Sequence, residues 1–172
     1  MLQVRRTAEE DFGAVMAIYR GAQERMIRSG NPTQWARVYP SGALVAEDIR
    51  LRRSYVICEE GRIAGVFVIT DGEDPTYRVI EDGAWLNGEP YITIHRIAGD
   101  GTAHGIFACA ADYCKARAGN VRVDTHRNNL IMQRQIAKQG FRRCGIIHVE
   151  DGSPRIAYQW TRGLRPSAEE GE

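Results

Sequence analysis

Hydrophobic residues repeat with two different periods along this chain, and the change between the periods predicts the order of helices and strands. Between residues 8 and 26 they recur every three to four positions, which is the spacing of one buried face of an α-helix. The preceding run LQVRRTA predicts a short strand. Thr7, with Glu10 three residues later, has the pattern of a helix capping box, so we expect Thr7 to cap this helix.

The next segments combine one further helix with several strands. Residues 41–52 place apolar residues among charges at helical spacing. The runs SYVICEE and GRIAGVFVIT are rich in β-forming residues and are split by a Glu-Gly pair, which predicts a β-hairpin. After a polar segment, the run YITIHRIA predicts another strand.

Beyond residue 100, helices and strands alternate. IFACAADYCKARA predicts a helix, NVRVDTH predicts a strand, and residues 129–138 predict a second helix that ends at Gly140. RRCGIIHVE and RIAYQW predict two strands joined by the turn DGSP. The whole pattern indicates a mixed α/β fold, with a largely antiparallel central sheet flanked by helices.

Length and composition agree with this picture. The 172 residues, of which 43% are hydrophobic and 26% are charged, are typical of one globular domain. We expect the domain to occupy residues 1–163 and the polar residues 164–172 to form a C-terminal tail.

Charge and cysteine content exclude several classes of protein. The 23 basic and 22 acidic residues nearly balance, which argues against nucleic acid as the main partner. No apolar stretch is long enough to span a membrane and the first residues lack the apolar core of a secretory signal, so we expect no membrane partner and a cytoplasmic location.

The cysteines and histidines lack the spacing of metal ligands, so we predict neither a metal site nor a disulfide framework. The cysteines lie in apolar runs, which favours buried structural thiols over nucleophiles.

The glycine-rich loop GDGTAHG, residues 99–105, is the most suggestive candidate for a ligand site. It follows a predicted strand and precedes a predicted helix, where backbone N–H groups and the helix N-terminus favour a phosphate. A purely structural turn is one alternative, and a nicotinamide dinucleotide with Asp124 as its acidic partner is another. The order of the strands disfavours the dinucleotide, and the absence of Gly-Lys-Ser/Thr excludes a P-loop.

Three strings of the sequence resemble a known family, the GNAT (Gcn5-related) N-acetyltransferases. They are IHRIAGDGTAHGIF at 94–107, VRVDTHRNNLIMQRQIAKQGFRRCGII at 121–147 and DGSPRIAYQW at 151–160. The second string is the most specific, because Asn129 and the pair Gly140-Phe141 stand at the spacing seen in many bacterial members. The strings NPTQW and VYP are similar to the same branch. The resemblance covers residues 2–160.

The resemblance implies acetyl-CoA as the cofactor and transfer of its acetyl group to an amine by direct attack. In the family, two neighbouring strands diverge and leave backbone groups free to bind the pantetheine arm; here these would be YITIHRIA and VRVDTH. The implied acceptor is a small-molecule or peptide amine, and a homodimer is left open. The residues that we expect to bind the cofactor are Ile97, Ala98, Gly101, Thr102, Ala103, His104, Gly105, Ile106 and Asn129.

Two departures from the family pattern support a different function. The phosphate loop usually reads Gln/Arg-x-x-Gly-x-Gly/Ala, whereas this chain has Thr102 at the first position and Phe107 at the last. The tyrosine that often serves as general acid is replaced by Ile136. The alternative is therefore a non-catalytic acyl-CoA-binding or sensor domain of the same fold.

Candidate acceptor-binding and catalytic residues form two groups. Large amphipathic or amide side chains in polar stretches either line a small-ligand pocket or cover the edge of the core. They are Gln34, Trp35, Tyr39, Tyr77 and Trp85. The resemblance places the general base on the strand YITIHRIA, where His95 is our first candidate, ahead of His126 and Asp124. Because Arg96 follows His95 directly, we expect the two side chains to face opposite sides of the strand.

Overall fold

A computed structural model describes residues 1–165, which form a seven-stranded sheet covered by helices. The strands are β1 (Leu2–Arg6), β2 (Ser54–Glu59), β3 (Arg62–Asp71), β4 (Ile92–Gly99), β5 (Asn120–Thr125), β6 (Arg142–His148) and β7 (Pro154–Thr161). The helices are α1 (Phe12–Arg28), α2 (Gly42–Arg50), α3 (Ile106–Lys115) and α4 (Leu130–Lys138), and short 3-10 turns occupy Glu9–Asp11 and Pro75–Tyr77. The predicted tail lies outside the described residues from position 166 onward.

The strands lie in the order β1-β2-β3-β4-β5-β7-β6. All neighbouring pairs are antiparallel except β4 and β5, which are parallel. The predicted mixed α/β fold with a largely antiparallel sheet is therefore confirmed. Crossing from β4 to β5 requires α3, because parallel neighbours cannot be joined by a tight turn.

The pairing of β4 with β5 is short. Only Ile92 with Val121 and Thr93 with Arg122 are in register, and beyond these pairs the two strands separate. The β5-facing backbone of β4 after Thr93 therefore has no strand partner, as the sequence comparison implied for YITIHRIA and VRVDTH.

A β-bulge in β4 lies where the strands separate. Val66 pairs with Ala98 and Val68 pairs with His95, so the single residue between them on β3 opposes two residues on β4. Arg96, one of these two, has φ of +47°. A bulge of this kind bends its strand and increases the local twist. Both His95 and Arg96 consequently reach the same cleft, and the prediction that they face opposite sides is wrong.

The sheet separates two apolar layers. Val66 faces α1 and α2, where it shares a buried cluster with Val45. The next residue, Phe67, faces the other side and packs in a cluster with Phe107 of α3 and Ile136 of α4. This alternation follows from the two-residue period of a strand, and it positions α3 and α4 over the region where β4 and β5 separate.

The beginning of α1 differs from the sequence prediction. Thr7 does not cap the helix, because its buried hydroxyl is hydrogen-bonded to the hydroxyl of Ser54 at 2.7 Å. The Asp11 carboxylate accepts a hydrogen bond from the N–H of Ala8, before the 3-10 turn, at 2.8 Å and pairs with Arg5, but it caps no N–H group of α1. The sequence pattern identified the segment where α1 begins, but the predicted side-chain cap is not formed there.

The segment between β3 and β4 is held against β6 by a close contact between backbones. Glu81 pairs with Ile146 in an isolated antiparallel bridge. Gly83 has φ of +155°, and a Cβ atom there would lie 1.9 Å from the carbonyl oxygen of Cys144. A backbone atom cannot move aside as a side chain can, so this position requires glycine.

We therefore expect Gly83→Ala to lower the free energy of unfolding by about 2 kcal/mol or more, which is the upper part of the range for overpacking. Gly88→Ala is the control, because no atom lies within 4 Å of its Cβ position. Urea unfolding of both variants measures the difference. Equal stabilities would contradict the close backbone contact.

Candidate functional site

A cleft of about 760 Å³ opens where β4 and β5 separate. Its walls come from the residues after α1, the end of β3 with the turn that follows, β4, β5, the start of α4 and the β6–β7 turn. Seven of the residues selected from the sequence line it: Gln34, Trp35, Tyr39, His95, Ile97, Asp124 and Asn129. The fold therefore brings together residues that are up to 95 positions apart in the chain.

His95 forms a hydrogen-bonded pair with Asp74 in the wall of this cleft. Its Nε2 lies 3.0 Å from Oδ2 of Asp74, and the side chains are only 21% and 14% exposed. The other carboxylate oxygen of Asp74 accepts hydrogen bonds from the N–H and the hydroxyl of Thr76, at 2.9 and 2.7 Å. The turn Pro75–Tyr77 thus fixes Asp74, and Asp74 fixes the imidazole ring.

Asp74 is ionised at neutral pH. Burial acts to raise the pKa of Asp74, but the hydrogen bonds from His95 and Thr76 outweigh burial and lower this pKa to about 2. Asp74 is therefore a carboxylate, which can only accept a hydrogen bond. A neutral His95 must then carry its proton on Nε2, leaving Nδ1 free to accept another proton.

Asp124 lies near His95 but is bound to Tyr77. The Tyr77 hydroxyl donates a hydrogen bond of 2.6 Å to Oδ2 of Asp124. Burial raises the pKa of Asp124 and, together with the nearby carboxylate, raises the pKa of Tyr77 well above its usual value. Tyr77 therefore keeps its proton and holds Asp124 in place. Its ring is buried behind the cleft and does not line it.

His126 is placed outside the cleft wall, with both ring nitrogens engaged. Nδ1 accepts a hydrogen bond from the N–H of Asn128 at 3.0 Å, and Nε2 lies 3.4 Å from the hydroxyl of Thr33. Burial lowers the pKa of His126, and the charge of Arg155 adds to the effect. A neutral, hydrogen-bonded ring of this kind ties the end of β5 to the segment after α1.

Asn129 caps α4 and also fixes the opposite wall. Its Oδ1 accepts a hydrogen bond from the N–H of Met132 at 3.1 Å, as in an N-cap. Its Nδ2 donates to Oε1 of Gln34 at 3.2 Å, and Asn31 donates to the same oxygen at 2.7 Å. Asn129 therefore occupies the predicted helix-entry position, and its side chain is hydrogen-bonded to Gln34.

Aromatic rings and an ion pair support the same wall. Trp35 is buried between the rings of Tyr19 and Tyr39, with centroid distances of 5.8 and 6.2 Å. Arg96 donates to the hydroxyl of Tyr39 at 2.9 Å and forms two bonds of 2.8 Å to Asp48, which is buried in α2. Such paired bonds fix geometry as well as charge.

Trp85 lies elsewhere and lines no part of the cleft. Its ring stacks on the guanidinium of Arg122 at 3.9 Å, and its indole N–H donates to the carbonyl of Tyr77 at 2.9 Å. Trp85 therefore anchors the segment between β3 and β4, and the structure does not place it with the acceptor-binding residues.

In the loop before α3, two of the backbone N–H groups that the sequence assigned to a ligand are not free. The carboxylate of Asp100 accepts hydrogen bonds from the N–H groups of Thr102 and Ala103, at 2.8 and 3.1 Å, and pairs with Arg62. These hydrogen bonds overcome the effect of burial and lower the pKa of Asp100. The N–H groups assigned to a phosphate at residues 102 and 103 are thus already occupied.

Free donors lie instead in the first turn of α3. Within residues 1–165, the N–H groups of Ile106, Phe107 and Ala108 have no hydrogen-bond partner. Gly105, with φ of +79°, starts the helix, and its Cβ position faces open space. Three free N–H groups at a helix N-terminus suit an anion. The Phe107 ring does not obstruct them, because it is buried against Phe141 at 5.8 Å.

Three of the four cysteines are not activated as nucleophiles. Burial raises the pKa of the thiols of Cys109, Cys114 and Cys144. A raised pKa keeps a thiol protonated and weakly reactive.

The sheet order and the separation of β4 from β5 match the fold of solved GNAT acetyltransferases. No family model and no curated protein matches the sequence. Solved structures do match it, and they confirm the resemblance found in the sequence.

A GNAT-family acetyltransferase from Streptococcus agalactiae is 27% identical, with a TM-score of 0.82 over 94% of this chain and 95% of the other. A GNAT-family acetyltransferase from Listeria monocytogenes is 18% identical, with a TM-score of 0.66 over 93% and 94%. YncA from Salmonella typhimurium, in a structure with its cofactor acetyl-CoA, is 13% identical, with a TM-score of 0.61 over 97% and 98%.

Among the described residues, no helix combines the length and the apolar character needed to cross a membrane.

Asn129→Ala should lower the free energy of unfolding by about 1 kcal/mol, because α4 loses its cap. Asn129→Asp keeps a capping oxygen and should retain most of that stability, although it loses the donor to Gln34. Urea unfolding without ligand measures both effects. An Asn129→Ala variant as stable as the wild type would contradict the capping role.

Proposed function

We propose that this protein is an N-acetyltransferase, which transfers the acetyl group of acetyl-CoA to an amine by direct attack on the thioester. The observation that carries the proposal is the His95–Asp74 pair in the wall of a cleft beside the unpaired part of β4. The GNAT fold of the solved neighbours, one of them with acetyl-CoA, supports it. A cytoplasmic location stays a prediction.

The backbone of Ile97 and Ala98 would bind the pantetheine arm of acetyl-CoA. These residues lie in the part of β4 that has separated from β5, and Ile97 lines the cleft. The free N–H groups of the first turn of α3 would bind the pyrophosphate. When bound, acetyl-CoA supplies a thioester whose carbonyl carbon is open to attack by an amine.

His95 would act as the general base. Its free Nδ1 can accept the proton that the amine loses, and the carboxylate of Asp74 stabilises the imidazolium that forms. Asp74 also holds the ring in one orientation, which lowers the cost of reaching the reactive geometry. Asp124 and His126 are less suited to this step, because Tyr77 binds the first and the second has both nitrogens engaged.

The charge of the cleft suits an amine that arrives as a cation. Arg53 and Arg96 both form ion pairs with Asp48. Arg155 also lines the cleft and Glu73 pairs with Arg78, but within residues 1–165 the other lining carboxylates form no ion pair with an arginine. The carboxylates that line the cleft belong to Asp71, Glu73, Asp74, Asp124, Glu150 and Asp151. Opposite charge raises the local concentration of a cationic ligand.

The sensor alternative rests on the altered phosphate loop and on Ile136, which is buried in the core and offers no proton donor. The His95–Asp74 pair favours catalysis, because binding alone does not require a positioned base. A panel of amines, assayed for CoA release with a thiol reagent, separates the two functions. Turnover with any amine supports the enzyme, whereas saturable CoA binding without turnover across the panel supports the sensor.

His95→Ala should lower kcat/KM by about 10²- to 10⁴-fold, the usual contribution of a positioned base, while CoA affinity stays within about twofold. His148→Ala is the control, because His148 is exposed at the end of β6. Steady-state kinetics and calorimetry give the two quantities. A loss of less than about tenfold would show that His95 is not the base.

Asp74→Asn should lower kcat and make stability less dependent on pH. The pKa of Asp74 is lower in the folded chain than in the unfolded chain, so its ionisation stabilises the fold at neutral pH. That stabilisation is lost as the pH falls from about 4 toward about 2. Urea unfolding across this range should show the wild type losing its advantage over Asp74→Asn.

Asp112→Asn is the matched control for this experiment, since Asp112 is an exposed carboxylate on α3. It should keep the wild type's loss of stability between about pH 4 and about pH 2, because the Asp74–His95 pair is intact in it. An Asp74→Asn variant that also follows the wild type would contradict the pairing of Asp74 with His95.

A further inference from the structure

Arg25 of α1 lies against the loop that joins β4 to α3. Its guanidinium donates hydrogen bonds to the carbonyl oxygens of Gly99 and Asp100, the latter at 3.4 Å. The guanidinium also covers Gly101, where a Cβ atom would lie 3.0 Å from Nη1. Gly101 has φ of +86°, a conformation that favours glycine. Arg25 therefore contacts this loop, although α1 is distant from the loop in the sequence.

The positive charge of Arg25 is not neutralised. Within residues 1–165, no carboxylate forms an ion pair with it. The carboxylate of Asp100 is paired with Arg62 instead. A guanidinium has five N–H donors, and the two carbonyl oxygens use two of them. Arg25 therefore keeps a full charge and unused donors beside the loop.

The loop itself has no cationic side chain at the position where the family pattern has Gln or Arg, because Thr102 stands there. It also has fewer free N–H groups than expected, since Asp100 occupies those of Thr102 and Ala103. A pyrophosphate on the first turn of α3 would thus obtain hydrogen bonds from the helix but no charge partner from the loop.

We propose that Arg25 is a cofactor-binding residue, which supplies from α1 the positive charge for the CoA pyrophosphate that the loop lacks. This inference rests on the proposed use of acetyl-CoA. The guanidinium is held in place by Gly99 and Asp100, so little conformational freedom is lost on binding. Its planar donors match phosphate oxygens in geometry and charge.

The first test measures CoA affinity by calorimetry for the wild type and three variants. Arg25→Gln should weaken CoA binding by about 10- to 100-fold, the range for a lost hydrogen bond to a charged group. Arg25→Lys should recover part of the loss, because it restores the charge without the fork of donors. Arg20→Gln, an exposed position on the same helix, should bind CoA as the wild type does.

The second test separates phosphate binding from a structural role. Acetyl-pantetheine carries the thioester but no pyrophosphate, so Arg25→Gln should use it as an acetyl donor as well as the wild type does, within about twofold. A residue that only shapes the loop would lower activity with both donors by the same factor.

Two results would overturn the role of Arg25 alone: CoA affinity of Arg25→Gln within twofold of the wild type, or equal losses with acetyl-CoA and acetyl-pantetheine. Failure of the wild type itself to bind CoA would instead overturn the proposed function. The two failures are therefore distinguishable.

Discussion

The separation of β4 from β5 after only two paired positions is the constraint on which the rest of the site depends. Parallel strands normally satisfy each other's backbone groups along their length, and an unsatisfied backbone group in a buried place is costly. The bulge at Arg96 bends β4 at this point, and the positive φ that it imposes on a non-glycine residue is itself unfavourable. The unpaired backbone and the strained φ both cost free energy, which is consistent with a ligand-binding role for this edge of β4.

Two carboxylates, the buried Asp48 and the partly buried Asp74, stabilise the walls beside this gap. Asp48 binds Arg96 at the bulge and also Arg53, so it holds the strained position to α2. Asp74 binds His95 one residue earlier and holds it to the turn after β3. Neighbouring residues of β4 are therefore each fixed by a different part of the chain. This arrangement directs both side chains into one cleft, which regular alternation along a strand would prevent.

The sequence predicted the elements well because their signals are local. Hydrophobic periodicity, the Glu-Gly turn and Gly140 each report on a few neighbouring residues, and the strands and helices lie where these signals indicated. The resemblance to GNAT acetyltransferases located the diverging strands, and His95 lines the cleft beside them, where its role as the base stays a prediction. Features that depend on distant contacts were missed, including the Arg96 bulge and the carboxylates of Asp48 and Asp74. The contact of Trp85 with Arg122 was missed for the same reason, because Arg122 is remote in sequence.

The loop before α3 was also predicted only in part from the sequence. Its glycines indicated a place where backbone could meet a phosphate, and the free N–H groups of α3 agree with that expectation. The capture of two loop N–H groups by Asp100 depends on a side-chain rotamer, and the approach of Arg25 depends on how α1 packs on the sheet. Neither can be read from the order of residues.

The most direct test of the central claim, that the gap between β4 and β5 binds acetyl-CoA beside His95, is a crystal structure of the wild-type protein with CoA. We expect the pantetheine arm to lie along Ile97 and Ala98, with the pyrophosphate on the first turn of α3 and the sulfur atom in the cleft that His95 and Asp74 line. CoA bound elsewhere on the molecule, with β4 and β5 still unbridged, would contradict the claim.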